Sequence, residues 1–354
     1  MKVSIGTNIK EGPWGGGNLF AINLTNYLKK QGHEVVNNLK DEDIDIILLT
    51  EPRKTSESSA FTHIDVWYYK TLINKEVLIV HRLNECDERK NTKFVNKYLL
   101  EANKVADQTI FVSEWLRKLF INHGDISERN EVILAGADSN IFNRDGYKVW
   151  DKKEKLRIVT HHWGANWYKG FDVYKEIDNL LSKNYWKNKI EFTYIGNYPK
   201  DINFENTKIV NPLSGKELAN KIKENHIYIT ASRNEPSGNH HIEGAQCGLP
   251  ILFINSGGIP EYCTDYGVEF NEENFQEKLE EIVNNYNTYQ KNMENYPFSS
   301  NQMCREYLDL FKSLLSQKNE IIKSRKHSYE INQYQKYIYY FKRKNLLGAK
   351  RSSV

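Results

Sequence analysis

The stretch HIYITASRNEPSGNHHIEGAQCGLPILFIN, residues 226–255, holds two short apolar runs, HIYITAS and LPILFIN, with a helical segment between them. The chain leaves the first run, turns through Pro236 and Gly238, and enters a helix near Asn239. Strands that alternate with helices in this way build parallel sheets covered by helices on both faces. The same rhythm runs back to the N-terminus. The further strand candidates are VSIG near residue 4, IDIILL around 46, VLIVH around 79, QTIFVS around 111, EVILAG around 133, LRIVTHH and IEFTYIG. Between them, NLFAINLTNYLKKQG and KFVNKYLLEANKVA carry apolar residues at helical spacing.

A chain of 354 residues is long for one core. The polar break RDGYKVWDKKEK (144–155) divides it into two doubly wound α/β domains, 1–150 and 151–298. An apolar fraction of 39% suffices for both cores. Net charge is only +3, from 49 Lys+Arg against 46 Asp+Glu, which argues against a nucleic-acid binder. Cys86, Cys247, Cys263 and Cys304 lack metal-ligand spacing and read as isolated reduced thiols. The start, MKVSIGTNIKEG, has too short an apolar stretch for a signal peptide, and no apolar run approaches the roughly 20 residues that span a bilayer. A cytoplasmic protein is expected, with membrane contact confined to its surface.

Open parallel sheets bind ligands beyond the carboxyl ends of their strands, so residues just after each run are candidates. In EPSGNHHIE, a Gly-containing turn leads into a helix whose free N–H groups and partial positive charge suit a diphosphate. One such end contributes only about 0.3–1 kcal/mol when exposed and needs a cation beside it. Glu235 and Glu243 stand eight steps apart, about 12 Å along a helix at 1.5 Å per residue. Paired glycosidase carboxyls lie about 5–9.5 Å apart, so the two glutamates suit the ends of an extended ligand better than one scissile bond. Gly15, Gly16 and Gly17, after the first strand, permit close approach to a ligand, although Phe20 breaks any GxGxxG pattern. Asp41, Asp43 and Asp45 have Asp-x-Asp spacing but precede a strand instead of following one, so no catalytic metal is expected.

EPSGNHHIE resembles the E-x7-E motif of retaining GT-B glycosyltransferases of the family 4 type, and GLPILFINSGGIPEY continues the pattern through Gly248, Pro250, Gly257, Gly258 and Glu261. The resemblance spans roughly residues 1–317. It implies two Rossmann-like domains facing across a cleft, with a helix at 299–317 packing back on the first. It implies a UDP- or GDP-sugar donor, a glycan or lipid-linked acceptor, retention at the anomeric carbon, and no cofactor. Glu235 would meet the donor sugar, Glu243 the ribose, and the amides of Ser237, Gly238 and Asn239 the sugar and diphosphate. IVTHHWGANWYKGFDVY is similar to the segment opening the second domain, which would place Lys169 on the phosphates. An arginine usually stands five residues earlier. Here that position is Gly164, with Asn166, Trp163 or His162 to compensate. In the first domain, Trp14, Gly15, Gly16 and Gly17 would face the cleft. VLIVHRLNECDERK would bring His81 to the donor sugar and Asp87 to an acceptor hydroxyl, with Arg82, Asn84 and Glu85 on the acceptor side.

The tail 318–354, rich in Lys, Arg and Tyr, reads as a surface helix with a frayed end, or as a contact to an anionic membrane or acceptor. Two further readings share the architecture: a nucleotide-sugar epimerase, and a nucleotide-sugar binder without turnover.

Overall fold

The computed structural model describes residues 1–10, 12, 15–124 and 126–325. The first sheet contains β1 (Lys2–Ile5), β2 (Glu34–Val36), β3 (Ile46–Leu49), β4 (Leu78–Leu83), β5 (Gln108–Phe111) and β6 (Asn130–Val132), in the order β2-β1-β3-β4-β5-β6. The second contains β7 (Leu156–His162), β8 (Ile190–Gly196), β9 (Lys208–Val210), β10 (Ile227–Thr230), β11 (Ile251–Ile254) and β12 (Gly267–Phe270), in the order β12-β11-β10-β7-β8-β9. Every ladder in both sheets is parallel. The central strands β3, β4, β5, β10 and β11 are buried along their whole length, because helices cover both faces. Five of the apolar runs read from the sequence fall on these strands, VSIG, LRIVTHH and IEFTYIG fall on β1, β7 and β8, and EVILAG overlaps β6 only at Glu131 and Val132. Sequence periodicity did not reveal β2, β9 and β12, which are three or four residues long and lie at sheet edges.

The first sheet packs one face on the helices Gly16–Lys30 and Ser300–Ser316, where Phe20 and Tyr307 meet edge to face at 5.2 Å. Ser300–Ser316 thus returns from the end of the second domain to complete the first core, burying Tyr307, Phe311 and Leu314. Large side chains of this kind stabilise by about 1.5–3 kcal/mol each on burial. The helix Lys318–Ser324 continues on the same domain. Arg325 closes it with bonds to Asp107 at 2.8 and 2.7 Å and to the carbonyls of Lys75 and Val77. The surface helix expected at the start of the tail is thus present, packed on the first domain through Ile321 and Ile322. Residues 326–354 lie outside the described residues.

The second core is one cluster that also recruits Ala135, Ala137 and Phe142 from the connecting segment. The chain crosses between the domains there and again at Phe298–Ser300. The two crossings touch, with Ala137 N–H donating to the Phe298 carbonyl at 3.2 Å and Ser300 N–H to the Ala137 carbonyl at 2.7 Å. The four cysteines are buried and unbridged. Among the described residues, no helix is long and apolar enough to cross a membrane.

Candidate active site

Strand order reverses between β7 and β10 in the second sheet, and between β1 and β3 in the first. Such switch points open a crevice at the carboxyl edge, where α/β sheets hold ligands. Two segments meet at the second-domain switch: 161–170, from the end of β7 onward, and 231–238 after β10. Gly170 turns the first with φ +89°, and a Cβ there would sit 2.4 Å from the Ala231 carbonyl, so only glycine lets Lys169 approach β10 this closely. Gly238, at φ +78°, turns the second loop into the helix Asn239–Gln246. Ser237, Gly238 and Asn239 are half-buried, with the helix's first N–H groups at the crevice.

Glu235 sits at the bottom of this turn. Its side chain is only 7% exposed, and its two oxygens meet Lys169 Nζ at 2.6 Å and Arg89 Nε at 2.8 Å. Burial pushes its carboxyl pKa up, but the two cations outweigh that and hold it well below the usual carboxylate range. Arg89 comes from the first domain, on the short helix Asp87–Lys90 after β4. Its Nη1 also meets Glu85 at 2.8 Å, and Lys90 meets the same Glu85 oxygen at 2.9 Å. Asn234 adds a bond across the cleft to the Glu88 carbonyl at 3.3 Å.

Glu243, one helix turn further in, is buried and accepts from His161 Nε2 at 2.8 Å. The other ring nitrogen of His161 meets the Tyr228 hydroxyl at 3.0 Å, which fixes the imidazole against β10. His162, His240 and His241 pack beside it, with rings 4.6 Å apart for His162–His240 and 4.9 Å for His240–His241. Burial lowers all three pKa values, His241 to about 3, so these rings are neutral near pH 7. Both His241 nitrogens are buried without a hydrogen-bond partner among the described residues. Among those residues, no group of three or more His, Cys, Asp or Glu could hold a metal ion.

Across the crevice, Gly15 (φ +79°) caps the helix Gly16–Lys30, and a Cβ on Gly16 would lie 3.0 Å from Asn239 Oδ1. The glycine loop and the second-domain helix start therefore face each other closely, with Gly17 exposed. The domains are also joined at Glu261, whose carboxylate caps the helix Glu114–His123 through the N–H groups of Glu114 and Trp115 at 2.7 and 2.8 Å. Tyr262 beside it donates to the Val112 carbonyl at 2.6 Å.

Several expected residues have other occupations. Asp87 accepts from Thr92 Oγ1 at 2.5 Å and from the N–H groups of Phe94, Val95 and Asn96 at 2.9–3.0 Å. Burial alone would raise its pKa, but these donors keep it lowered. It closes the start of the helix Val95–Asn103, with three of these donors on Oδ1 and the Asn96 N–H on Oδ2, so in this structure the carboxylate expected at an acceptor serves as a cap. His81 lies inside β4, wholly buried, with Nδ1 on Asn103 Oδ1 at 2.9 Å. Its side chain faces the covering helix instead of the cleft. Arg82 is buried with its guanidinium 4.0 Å over the Phe20 ring, on the core side of the sheet. Glu85 is committed to Arg89 and Lys90, and Asn84 is half-buried with nothing assigning it a task. Asn166 and Trp163 are exposed at the mouth, whereas His162 is buried on the Tyr174 hydroxyl at 2.7 Å. Trp14 lies outside the described residues.

Residues 199–297 match the family described as glycosyl transferases group 1. A comparison with curated proteins gave no match. Among solved structures, the chain superposes on a glycosyltransferase from Rickettsia africae ESF-5 with TM-score 0.64 and 16% identity, covering 89% of this chain and 98% of that one. HepE from Anabaena, solved in complex with UDP-glucose, gives TM-score 0.63 and 15% identity over 89% and 100% of the two chains. Sucrose-phosphate synthase from Thermosynechococcus elongatus gives 0.62 and 12% over 89% and 99%. The fold is GT-B.

In this GT-B cleft, sequence reading had gathered Glu235, Glu243, Lys169, the 237–239 turn and the glycine loop, and the structure brings them to facing edges. It had overlooked Arg89 and His161 as partners of the two glutamates. His161 carried a signal, since it is the last residue but one of β7, at the switch point. Arg89 carried none, because its neighbour belongs to the other domain.

Proposed function

We propose that this protein is a glycosyltransferase that moves a sugar from a UDP- or GDP-sugar to a glycan or lipid-linked acceptor, with retention at the anomeric carbon and without a metal. The observation that carries the reading is the buried Glu235–Lys169 pair at the entrance to the helix Asn239–Gln246, set opposite the glycine loop. In this reading Glu243, oriented by His161, binds the ribose hydroxyls, and the amides of residues 237–239 receive the diphosphate. Lys169 neutralises charge developing on the leaving group, which is electrostatic preorganisation. The acceptor oxygen bonds to the anomeric carbon on the face from which the C–O bond to phosphate breaks. The acceptor proton passes to the departing phosphate oxygen. Glu235, held by two cations, is a poor covalent nucleophile and a good positioner of the sugar, which favours this front-face course over double displacement. The basic tail is the segment proposed to meet an anionic acceptor or membrane surface.

The same locking of Glu235 favours one second reading, a nucleotide-sugar binder without turnover. A thermal-shift screen against UDP, GDP, ADP, CMP and their sugar conjugates, followed by donor hydrolysis without acceptor and with EDTA, tests both. A ligand at 100 times its Kd stabilises by about 2.7 kcal/mol. A hit with slow, EDTA-insensitive hydrolysis supports transfer, and a hit without turnover supports the binder. A flat profile at millimolar ligand overturns the donor-site reading.

A further inference from the structure

We propose that Arg89 is the first domain's contact to the donor diphosphate, the second cation of a clamp whose halves stand on opposite sides of the cleft. The inference rests on the donor-site reading above and assigns a residue to it.

The second domain offers too little positive charge by itself. Loop 161–170 holds one permanent cation, Lys169, and position 164 is glycine. Loop 231–238 holds Arg233, but Asp172 takes its guanidinium at 2.7 and 2.5 Å and Glu272 at 2.9 Å, so its charge is already matched by two carboxylates. His162, His240 and His241 are held neutral by burial. A diphosphate brings at least two negative charges to a helix end whose dipole supplies about half of one.

The cluster around Glu235 supplies the remainder. Lys169, Arg89 and Lys90 face Glu235 and Glu85, which leaves one net positive charge, with Lys169 and Arg89 partly buried and Lys90 exposed at the rim. Lys169 and Arg89 bind the two oxygens of one carboxylate, so both lie at the turn that delivers Ser237, Gly238 and Asn239. The contacts of Arg89 use Nε and Nη1. The guanidinium has five N–H donors in a planar fork; Glu235 takes the Nε end of the edge that Nε shares with Nη2, and neither contact uses Nη2, which is left to donate to a phosphate oxygen. Arg89 is anchored to β4 through its short helix, so a diphosphate bound to it also joins the first domain to the second.

The test measures affinities of the full chain for UDP and GDP, and for UMP and GMP as controls, in wild type, Arg89→Gln and Arg89→Lys. Losing a hydrogen bond to a charged group costs about 1.5–3 kcal/mol, a weakening of about 10- to 150-fold. Arg89→Gln is expected to weaken the diphosphate by that factor and the matching monophosphate by less than about threefold. Arg89→Lys, which keeps the charge but not the fork, should fall between. If Arg89→Gln does not fold, the selective loss in Arg89→Lys decides. Equal losses for mono- and diphosphate would make Arg89 a domain-interface residue only and overturn the assignment, as would wild-type diphosphate affinity in both variants. A wild type that binds none of the four nucleotides fails differently: the donor-site reading falls, and the assignment with it.

Discussion

Replacing Glu235 by glutamine keeps the shape of the side chain and removes its charge. The carboxylate lies 2.6 Å from Lys169 and 2.8 Å from Arg89, at 7% exposure. At an effective dielectric of about 20, each contact is worth about 6 kcal/mol of gross attraction. Desolvation offsets much of this, and breaking a buried pair by deleting one partner typically costs about 3–5 kcal/mol, because the surviving charges stay buried and unmatched. At roughly 2 °C per kcal/mol for a long chain, Tm should fall by about 6–10 °C. A nucleoside diphosphate restores negative charge beside the two cations, so UDP or GDP should raise Tm more in Glu235→Gln than in wild type, while turnover falls. The pH dependence has a definite sign. Because the folded pKa is depressed, the stabilisation from this carboxylate is complete above about pH 4.5 and is lost as pH falls through the folded value. The Tm gap between variant and wild type should therefore narrow below that pH. Melting curves from pH 3 to 8, with and without nucleotide, read all three effects. A ligand-free variant within about 1 kcal/mol of wild type at pH 7 would refute the buried ion cluster.

Glu243→Ala removes the partner of His161 Nε2 at 2.8 Å and should cost about 1–3 kcal/mol of stability, with at least a tenfold loss of nucleotide affinity in a titration. Asp87→Asn should lower stability by about 1–2 kcal/mol by weakening the cap of Val95–Asn103, yet leave donor hydrolysis within about twofold of wild type; a collapse of activity would return Asp87 to the chemistry. Asp178 accepts from Lys175, Thr207 and the N–H groups of residues 205–207; burial raises its pKa, but these donors bring it down to about 2. About 1–2 kcal/mol should therefore drain away between roughly pH 5 and 2 in acid unfolding, and Asp178→Asn should remove that component.

The parts of the site that could be read from sequence are those where local chemistry and strand position coincide. Glu235, Glu243 and the 237–239 turn follow one strand and enter one helix, so a single segment displayed them. Lys169 was legible for the same reason, with Gly170 marking the turn that β10 forces on it. Asp87 was misread because its duty is discharged forward, to N–H groups seven to nine residues on, and a carboxylate after a strand looks the same in either occupation. His81 stops short of the strand's end, and the pleat alone decided that it faces Asn103. Arg89 was beyond reach because its significance arises only once two separately folded sheets are brought edge to edge. The short strands β2, β9 and β12 were missed because sheet margins need few apolar residues.

The paired crossings at Ala137 and Ser299–Ser300 have a mechanical consequence. Because the chain leaves the first domain and later re-enters it, the second domain is an insertion carried on two stalks. A body on one stalk can swivel freely. A body on two stalks bonded side by side is guided like a door on its jamb, opening chiefly along one arc. Any opening along that arc has to part the contact between Arg89 and Glu235.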